Sequence, residues 1–257
     1  MCRLDTHWAA LHGTLFSENF MTISNWQETK SDGNPMPLYV SAPAAAGGFP
    51  ALVVMQHQGG VDKFIQHMTQ RLAQNGYIAA APDLYHRDGP DCKDDIVTRR
   101  SRLSDRRIIN DIAAAVNFVQ DHGAVVNERI GVIGFCMGGR LALLGAAVNP
   151  AFKAAVAFYP GNCFRAWGRD IPSPFERTKD ICCPVQGHFG ADDTNPSPDD
   201  MARLDAELKK TGKPHEFHLY PNAGHAFMDS TKESYRGQAD EVCWPRTLEF
   251  LGRHLKT

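Results

Sequence analysis

The chain has 257 residues, 43% of them hydrophobic, and a formal net charge of −2. This length and composition fit one large α/β domain with a substantial core, so we predict a single domain over residues 1–257. The weak net charge gives no reason to expect nucleic acid or an anionic membrane as a partner. No apolar run approaches the roughly 20 residues that span a bilayer, and no signal peptide is visible.

The seven cysteines show neither a paired framework nor the C-x-x-C spacing of zinc and redox sites. We therefore expect reduced thiols, a cytoplasmic location, and no metal or organic cofactor. The expected partner is a small-molecule substrate. The sequence leaves open whether the chain is a monomer or a homodimer.

The predicted elements begin with a β-hairpin, whose strands at 20–27 and 37–42 flank a turn at 31–35. An apolar run at 50–56 then predicts a strand that is buried on both faces. A helix over about 62–74 ends before Gly76, and Tyr77–Ala81 forms the next buried strand.

Strands and helices alternate through the rest of the chain. We predict strands at 129–135, 153–159, 183–189 and 215–220, and helices at 94–121, 138–149, 199–211 and 232–255. This alternation predicts a mostly parallel, doubly wound sheet between two helical layers, preceded by the antiparallel hairpin. The irregular stretch 160–179 is expected to cover a pocket.

Cys136 lies in the run Gly-Phe-Cys-Met-Gly-Gly, between a predicted strand and a predicted helix. A nucleophile at such a strand-to-helix turn forms a nucleophile elbow, although most cysteines are structural. The helix dipole and the free N–H groups at this position favour the thiolate. The N–H of Met137 would then contribute to an oxyanion hole.

A cysteine nucleophile needs a base and an acid. In folds of this type the chain order is nucleophile, then acid, then the histidine that acts as base. His225 lies just after the last predicted strand, where the base is expected. Asp192 and Asp193 follow the preceding strand, and we favour Asp193 because of its spacing from Gly190.

Several residues near the other predicted strand ends are candidates for substrate and oxyanion contacts. His57 and Gln58 follow the strand at 50–56, and we assign the second oxyanion donor to the N–H of Gln58. His57 is either a substrate contact or an ordinary polar loop residue. Tyr85 and Arg87 are candidates for substrate binding; Arg87 could bind an anionic group or form a structural ion pair.

The chain resembles the dienelactone hydrolase family over nearly all of residues 20–255. The resemblance lies in the Gly-Phe-Cys-Met-Gly-Gly run, in Pro-Asp-Leu-Tyr at 82–85 and in Gly-His-Ala-Phe at 224–227. It implies an α/β-hydrolase fold and a triad of Cys136, His225 and Asp193 (or Asp192). It also implies that an ester or lactone is hydrolysed through a thioester intermediate.

Two positions depart from the family pattern. Members that open dienelactones have a glutamate where this sequence has His57, and an arginine where it has Asp229. We hypothesise that His57 accepts the thiol proton and makes Cys136 rich in thiolate. The alternatives are a thioesterase, a non-catalytic small-molecule-binding protein and a redox-sensing thiol.

Overall fold

The computed structural model describes residues 20–169 and 171–256. Within them, eight strands form a sheet in the order β1-β2-β4-β3-β5-β6-β7-β8. Their bounds are β1 Thr22–Ser31, β2 Asn34–Pro43, β3 Phe49–Met55, β4 Ile78–Pro82, β5 Val125–Phe135, β6 Phe152–Phe158, β7 Val185–Gly190 and β8 His215–Tyr220. The strands β4, β3, β5, β6, β7 and β8 are parallel, and the β1–β2 hairpin adds two antiparallel strands at one side.

Helices cover both faces of the sheet. Their bounds are α1 Lys63–Gln74, α2 Ile96–Ser101, α3 Asp105–Gln120, α4 Met137–Val148, α5 Pro198–Lys210 and α6 Gly237–Leu255. The buried side chains of α1 and α6 pack in one apolar core, and those of α3, α4 and α5 pack in another on the opposite face. The predicted three-layer, doubly wound α/β fold is thereby confirmed.

Two predicted helices have different bounds in the structure. The segment 94–121 contains two helices, α2 and α3, because the chain breaks at residues 102–104 and Ser104 then caps the N-terminus of α3. The last helix begins at Gly237 rather than at residue 232, because residues 229–236 fold into turns. None of the helices in the described ranges has both the length and the apolarity of a membrane span.

The cysteines at 92, 136, 163, 182, 183 and 243 are free thiols. Cys2 lies outside the described residues. Burial raises the pKa of the Cys163 and Cys183 thiols to about 12, so these two side chains are protonated, structural thiols at neutral pH. Cys136 is only partly buried.

Candidate active site

Cys136 occupies a sharp turn between β5 and α4, with φ 58° and ψ −117°. Its glycine neighbours allow the close packing that this turn needs. A Cβ atom on Gly134 would lie 2.0 Å from the carbonyl oxygen of Gly138, and one on Gly138 would lie 1.9 Å from that of Met55. Neither position can therefore accept a side chain, and the turn packs directly against the end of β3.

The Cys136 side chain contacts an imidazole, which in turn contacts a carboxylate. The sulfur lies 2.9 Å from Nε2 of His225, and Nδ1 of His225 donates to Oδ2 of Asp193 at 2.8 Å. The other carboxylate oxygen of Asp193 accepts from the backbone N–H of Asn195 at 2.9 Å. Asp192 is exposed, so Asp193 is the member of the acidic pair that contacts the imidazole.

The sheet topology explains why residues so far apart in the sequence meet. Cys136 follows β5, Asp193 follows β7 and His225 follows β8. These strands are parallel and belong to one continuous set of neighbours, so their carboxyl ends lie along the same edge. Ligand and catalytic sites of open α/β sheets form at this edge.

The environment of His225 favours its protonated form. Burial disfavours the imidazolium, but hydrogen bonds to Asp193 and to the sulfur of Cys136 outweigh it and raise the pKa of His225 to about 10. The Asp193 side chain is 2% exposed, so water screens its charge weakly. The arrangement therefore favours the imidazolium form of His225 at neutral pH.

Tyr159 supports the His225 ring and was not found by sequence reasoning. Its ring centroid lies 5.2 Å from that of His225 and 5.1 Å from that of Phe227, in both cases edge to face. The residue is buried and has φ 36°, an unusual backbone conformation for a non-glycine residue. An aromatic residue at the end of an apolar strand gives no sequence signal for such a role.

His57 contacts its own loop rather than the thiol. Its Nε2 lies 2.9 Å from a carboxylate oxygen of Asp62, and its Nδ1 accepts the N–H of Gly59 at 3.4 Å. In the described residues the polar contact of the Cys136 sulfur is with His225. The hypothesis that His57 accepts the thiol proton therefore finds no contact in this structure.

Two backbone N–H groups near the elbow have no acceptor in the described part of the chain. They belong to Met137, the first residue of α4, and to Gln58. The rest of Gln58 is bound: its carbonyl accepts from the Tyr85 hydroxyl at 2.7 Å, and its side-chain oxygen accepts from Arg100 at 2.7 Å. The N–H groups of both sequence-predicted oxyanion donors are thus free to donate to a bound acceptor.

Arg87 is engaged in ion pairs with two acidic side chains. Its guanidinium donates to both carboxylate oxygens of Asp111, at 2.9 and 2.8 Å, and to Asp32 at 2.8 Å. A weaker contact of 3.3 Å reaches the Ser31 hydroxyl. The structural ion pair, which the sequence left open, is therefore the arrangement that Arg87 adopts.

Asp229 occupies the position where the family resemblance implies a carboxylate-binding arginine. It is 1% exposed, and its Oδ1 accepts from the N–H and the hydroxyl of Thr231 at 3.1 and 2.6 Å. Its other oxygen lies 3.2 Å from Nζ of Lys232. The carboxylate thus caps a local turn, and this position offers no cation to a substrate.

A buried ion pair next to the elbow was also missed. Arg140 and Asp105 are both fully buried and share two hydrogen bonds of 2.7 and 2.9 Å. Arg140 also donates to the carbonyls of Asn162 and Arg165 and lies 4.1 Å over the Trp167 ring. The irregular stretch after β6 is therefore fastened to α3 and α4. A charged residue within the apolar helix was the available signal, since a buried charge requires a partner.

Comparisons with known proteins agree on one family. The sequence model of the dienelactone hydrolase family matches residues 36–255. A protein of Yersinia pestis, provisionally named a carboxymethylenebutenolidase, is 34% identical, and the match covers 87% of this chain and 86% of that protein. A Bradyrhizobium protein, provisionally named a 2-oxo-3-(5-oxofuran-2-ylidene)propanoate lactonase, is 30% identical over 90% of this chain and 94% of its own.

Solved structures give the same result. A crystal structure from Klebsiella pneumoniae, provisionally described as a dienelactone hydrolase, superposes with a TM-score of 0.85 and 32% sequence identity. The match covers 91% of this chain and 100% of that one.

No group of three or more His, Cys, Asp or Glu side chains in the described ranges is arranged to hold a metal ion.

Proposed function

Because the chain belongs to the dienelactone hydrolase family and is a hydrolase of that class, we propose that it cleaves a carboxylic ester or lactone through a Cys136–His225–Asp193 triad. The observation that carries this proposal is the 2.9 Å contact between the Cys136 sulfur and Nε2 of His225. A cytoplasmic setting, predicted from the unpaired thiols, is part of the proposal.

In the acylation step, the Cys136 thiolate attacks the carbonyl carbon, and the electron pair of the C=O bond moves onto the oxygen. The free N–H groups of Met137 and Gln58 are the donors for this oxyanion. When the tetrahedral species collapses, His225 protonates the leaving oxygen through Nε2 and a thioester remains on the sulfur. Asp193 keeps the imidazole in the orientation that this transfer requires.

Deacylation needs His225 as a base, and acylation itself produces that base. The hydrogen bond and charge of the thiolate are two of the causes that raise the pKa of His225. Both disappear once the sulfur is acylated, so the pKa falls towards its usual value and the neutral imidazole can activate water. Attack of this water releases the acid and restores the thiolate–imidazolium pair.

The substrate class rests on the relatives and on two positions in this chain. Relatives are named as a carboxymethylenebutenolidase and as a lactonase, which supports an ester or lactone carbonyl as the target. Asp229 and Arg87 are both engaged with protein groups. Neither is placed to bind the carboxylate of a dienelactone, so we propose a different ester or lactone as the substrate.

The test is turnover of p-nitrophenyl esters, lactones and thioesters by the wild type and by Cys136→Ala and His225→Ala. We expect hydrolysis of an ester or lactone by the wild type and loss of turnover in both variants. Mass spectrometry after a short reaction should detect an acyl group on Cys136.

Cys182→Ala is the matched control, because Cys182 is an exposed thiol remote in sequence from the elbow, and it should retain full activity. Turnover of thioesters alone would favour a thioesterase. Binding without turnover of any substrate in the panel would overturn the enzymatic proposal.

A further inference from the structure

Residues 57–60 lie in the loop that joins β3 to α1, and hydrogen bonds hold their successive peptide groups. The carbonyl of His57 accepts from the N–H of Gly60 at 3.1 Å, and the carbonyl of Gln58 accepts from the Tyr85 hydroxyl at 2.7 Å. The N–H of Gly59 donates to Nδ1 of His57 at 3.4 Å. The N–H of Gln58 is different, because no described residue accepts from it.

These contacts fix the direction of the free N–H. The His57–Gln58 peptide is planar, so its N–H points opposite to the carbonyl that Gly60 holds. The next peptide plane is fixed at its oxygen by Tyr85. With both planes fixed, the two backbone torsions of Gln58 between them have little freedom. Without the Tyr85 contact, the Gln58–Gly59 peptide would keep only the longer 3.4 Å hydrogen bond from its N–H to Nδ1 of His57.

Tyr85 is itself firmly placed. Its side chain is buried, its backbone N–H donates to Asp83 at 2.9 Å, and the Arg99 guanidinium carbon lies 4.4 Å over its ring. Burial raises the pKa of the Tyr85 hydroxyl to about 12, so it remains a donor at neutral pH. The hydroxyl hydrogen is thus already donated to the Gln58 carbonyl rather than available to a substrate.

We infer that Tyr85 is a positioning residue: by holding the Gln58 carbonyl, its hydroxyl directs the Gln58 N–H towards the oxyanion formed at Cys136. This inference rests on the proposed function and assigns Tyr85 a role other than substrate contact. The side-chain contact from Arg100 to Gln58 is exposed and does not hold the backbone, so it contributes little to this positioning.

The test is Tyr85→Phe, with Tyr39→Phe as the matched control. Tyr39 also uses its hydroxyl in one hydrogen bond, from Gln70 at 2.8 Å, but that bond joins β2 to α1. Removing an oxyanion donor outright costs about 10²- to 10³-fold in kcat. A donor that is present but misdirected costs less, so we expect Tyr85→Phe to lower kcat about tenfold, to leave KM within about twofold, and Tyr39→Phe to change neither.

Alkylation of Cys136 by iodoacetamide distinguishes a positioning role of Tyr85 from a general disturbance of the site by the substitution. The thiolate displaces iodide from a saturated carbon, so no oxyanion forms and the rate should be unchanged in Tyr85→Phe. An unchanged kcat in this variant would overturn the inference. So would an equal fall of kcat and alkylation rate, since this would indicate a disturbed site.

A trifluoromethyl ketone gives a readout that does not require turnover. The Cys136 thiolate adds to the ketone carbon, a C–S bond forms, and the oxygen becomes an alkoxide. We expect Tyr85→Phe to bind this inhibitor about tenfold more weakly than the wild type. If the wild type hydrolyses esters and Tyr85→Phe binds the inhibitor with equal affinity, only the role of Tyr85 is overturned. If the wild type forms no adduct and hydrolyses nothing, the proposed function fails with it.

Discussion

The two halves of the candidate site are built from different kinds of contact. The acid–base half, Cys136, His225 and Asp193, consists of side chains that contact one another at 2.9 and 2.8 Å. The proposed oxyanion half consists of backbone N–H groups, and the side-chain contact next to it is the 2.7 Å hydrogen bond from the Tyr85 hydroxyl to the Gln58 carbonyl.

This difference determines how each half responds to substitution. A side chain of the acid–base half can be removed, and its chemistry is lost with it. A backbone N–H remains whatever side chain is substituted, so it can only be misdirected. We therefore expect large losses of activity from the first half and smaller ones from the second.

The largest effect we predict here is that of Asp193→Asn. The carboxylate orients the imidazole and contributes to its raised pKa, and the corresponding change in a serine triad costs about 10⁴-fold in kcat. We expect a fall in kcat of about 10³- to 10⁴-fold. Because the carboxylate stabilises the imidazolium, its loss lowers the pKa of His225. The basic limb of the kcat/KM profile should therefore shift to lower pH.

Asp192→Asn is the control for that experiment. The two carboxylates are adjacent, but Asp192 is exposed and Asp193 makes the contact with the imidazole. We expect Asp192→Asn to keep wild-type kcat and an unchanged pH profile. A large loss in this variant, with activity retained in Asp193→Asn, would reverse the assignment of the acid.

The buried ion pair of Arg140 and Asp105 belongs to neither half. Asp105→Ala leaves the buried Arg140 guanidinium without its carboxylate partner. Breaking a buried ion pair in this way costs about 3–5 kcal/mol in the free energy of unfolding. Denaturant unfolding measures this loss, and kcat per folded molecule should stay within about threefold, because neither residue contacts the thiol or the imidazole.

The double variant Asp105→Leu with Arg140→Met tests whether charge is the cause. Replacing both partners by apolar side chains removes the unpaired charge, so most of the lost stability should return. A loss below about 1 kcal/mol in Asp105→Ala, a typical value for an exposed pair, would show that the ion pair is solvated.

The sequence predicted the acid–base half better than the oxyanion half for a physical reason. In a parallel sheet the residue after each strand reaches the same edge, so the predicted strand ends placed Cys136, His225 and the acidic pair together, and the spacing from Gly190 favoured Asp193. The hydroxyl of Tyr85 and the carbonyl of Gln58 meet through tertiary packing that no spacing encodes. Asp105 lies among alternating charges, a pattern typical of a solvated helix face, so the sequence gives no signal that this one carboxylate is buried.

The same limit explains the hypothesis about His57. The sequence places His57 beside the elbow, which made it a candidate proton acceptor for the thiol. The direction of its ring was not predictable, because it depends on Asp62 at the start of α1, 2.9 Å away. In the structure the His57 ring contacts Asp62, and among the described residues the polar contact of the Cys136 sulfur is with His225.

The smallest predicted effect sharpens this assignment, and it concerns the alkylation of Cys136 by iodoacetamide. With the pKa of His225 raised to about 10, the imidazolium persists and the wild-type rate should be nearly constant between about pH 7 and 9. In His225→Asn the thiolate loses its partner, and an ordinary thiol is only a few per cent ionised at neutral pH. We expect a rate about tenfold lower at pH 7 that climbs steeply as pH rises. His57→Asn should retain the flat wild-type profile, since its ring faces Asp62. If His57→Asn instead reproduces the slow, steep profile, the proton of the thiol is shared with His57 and the division of the site into two halves is wrong.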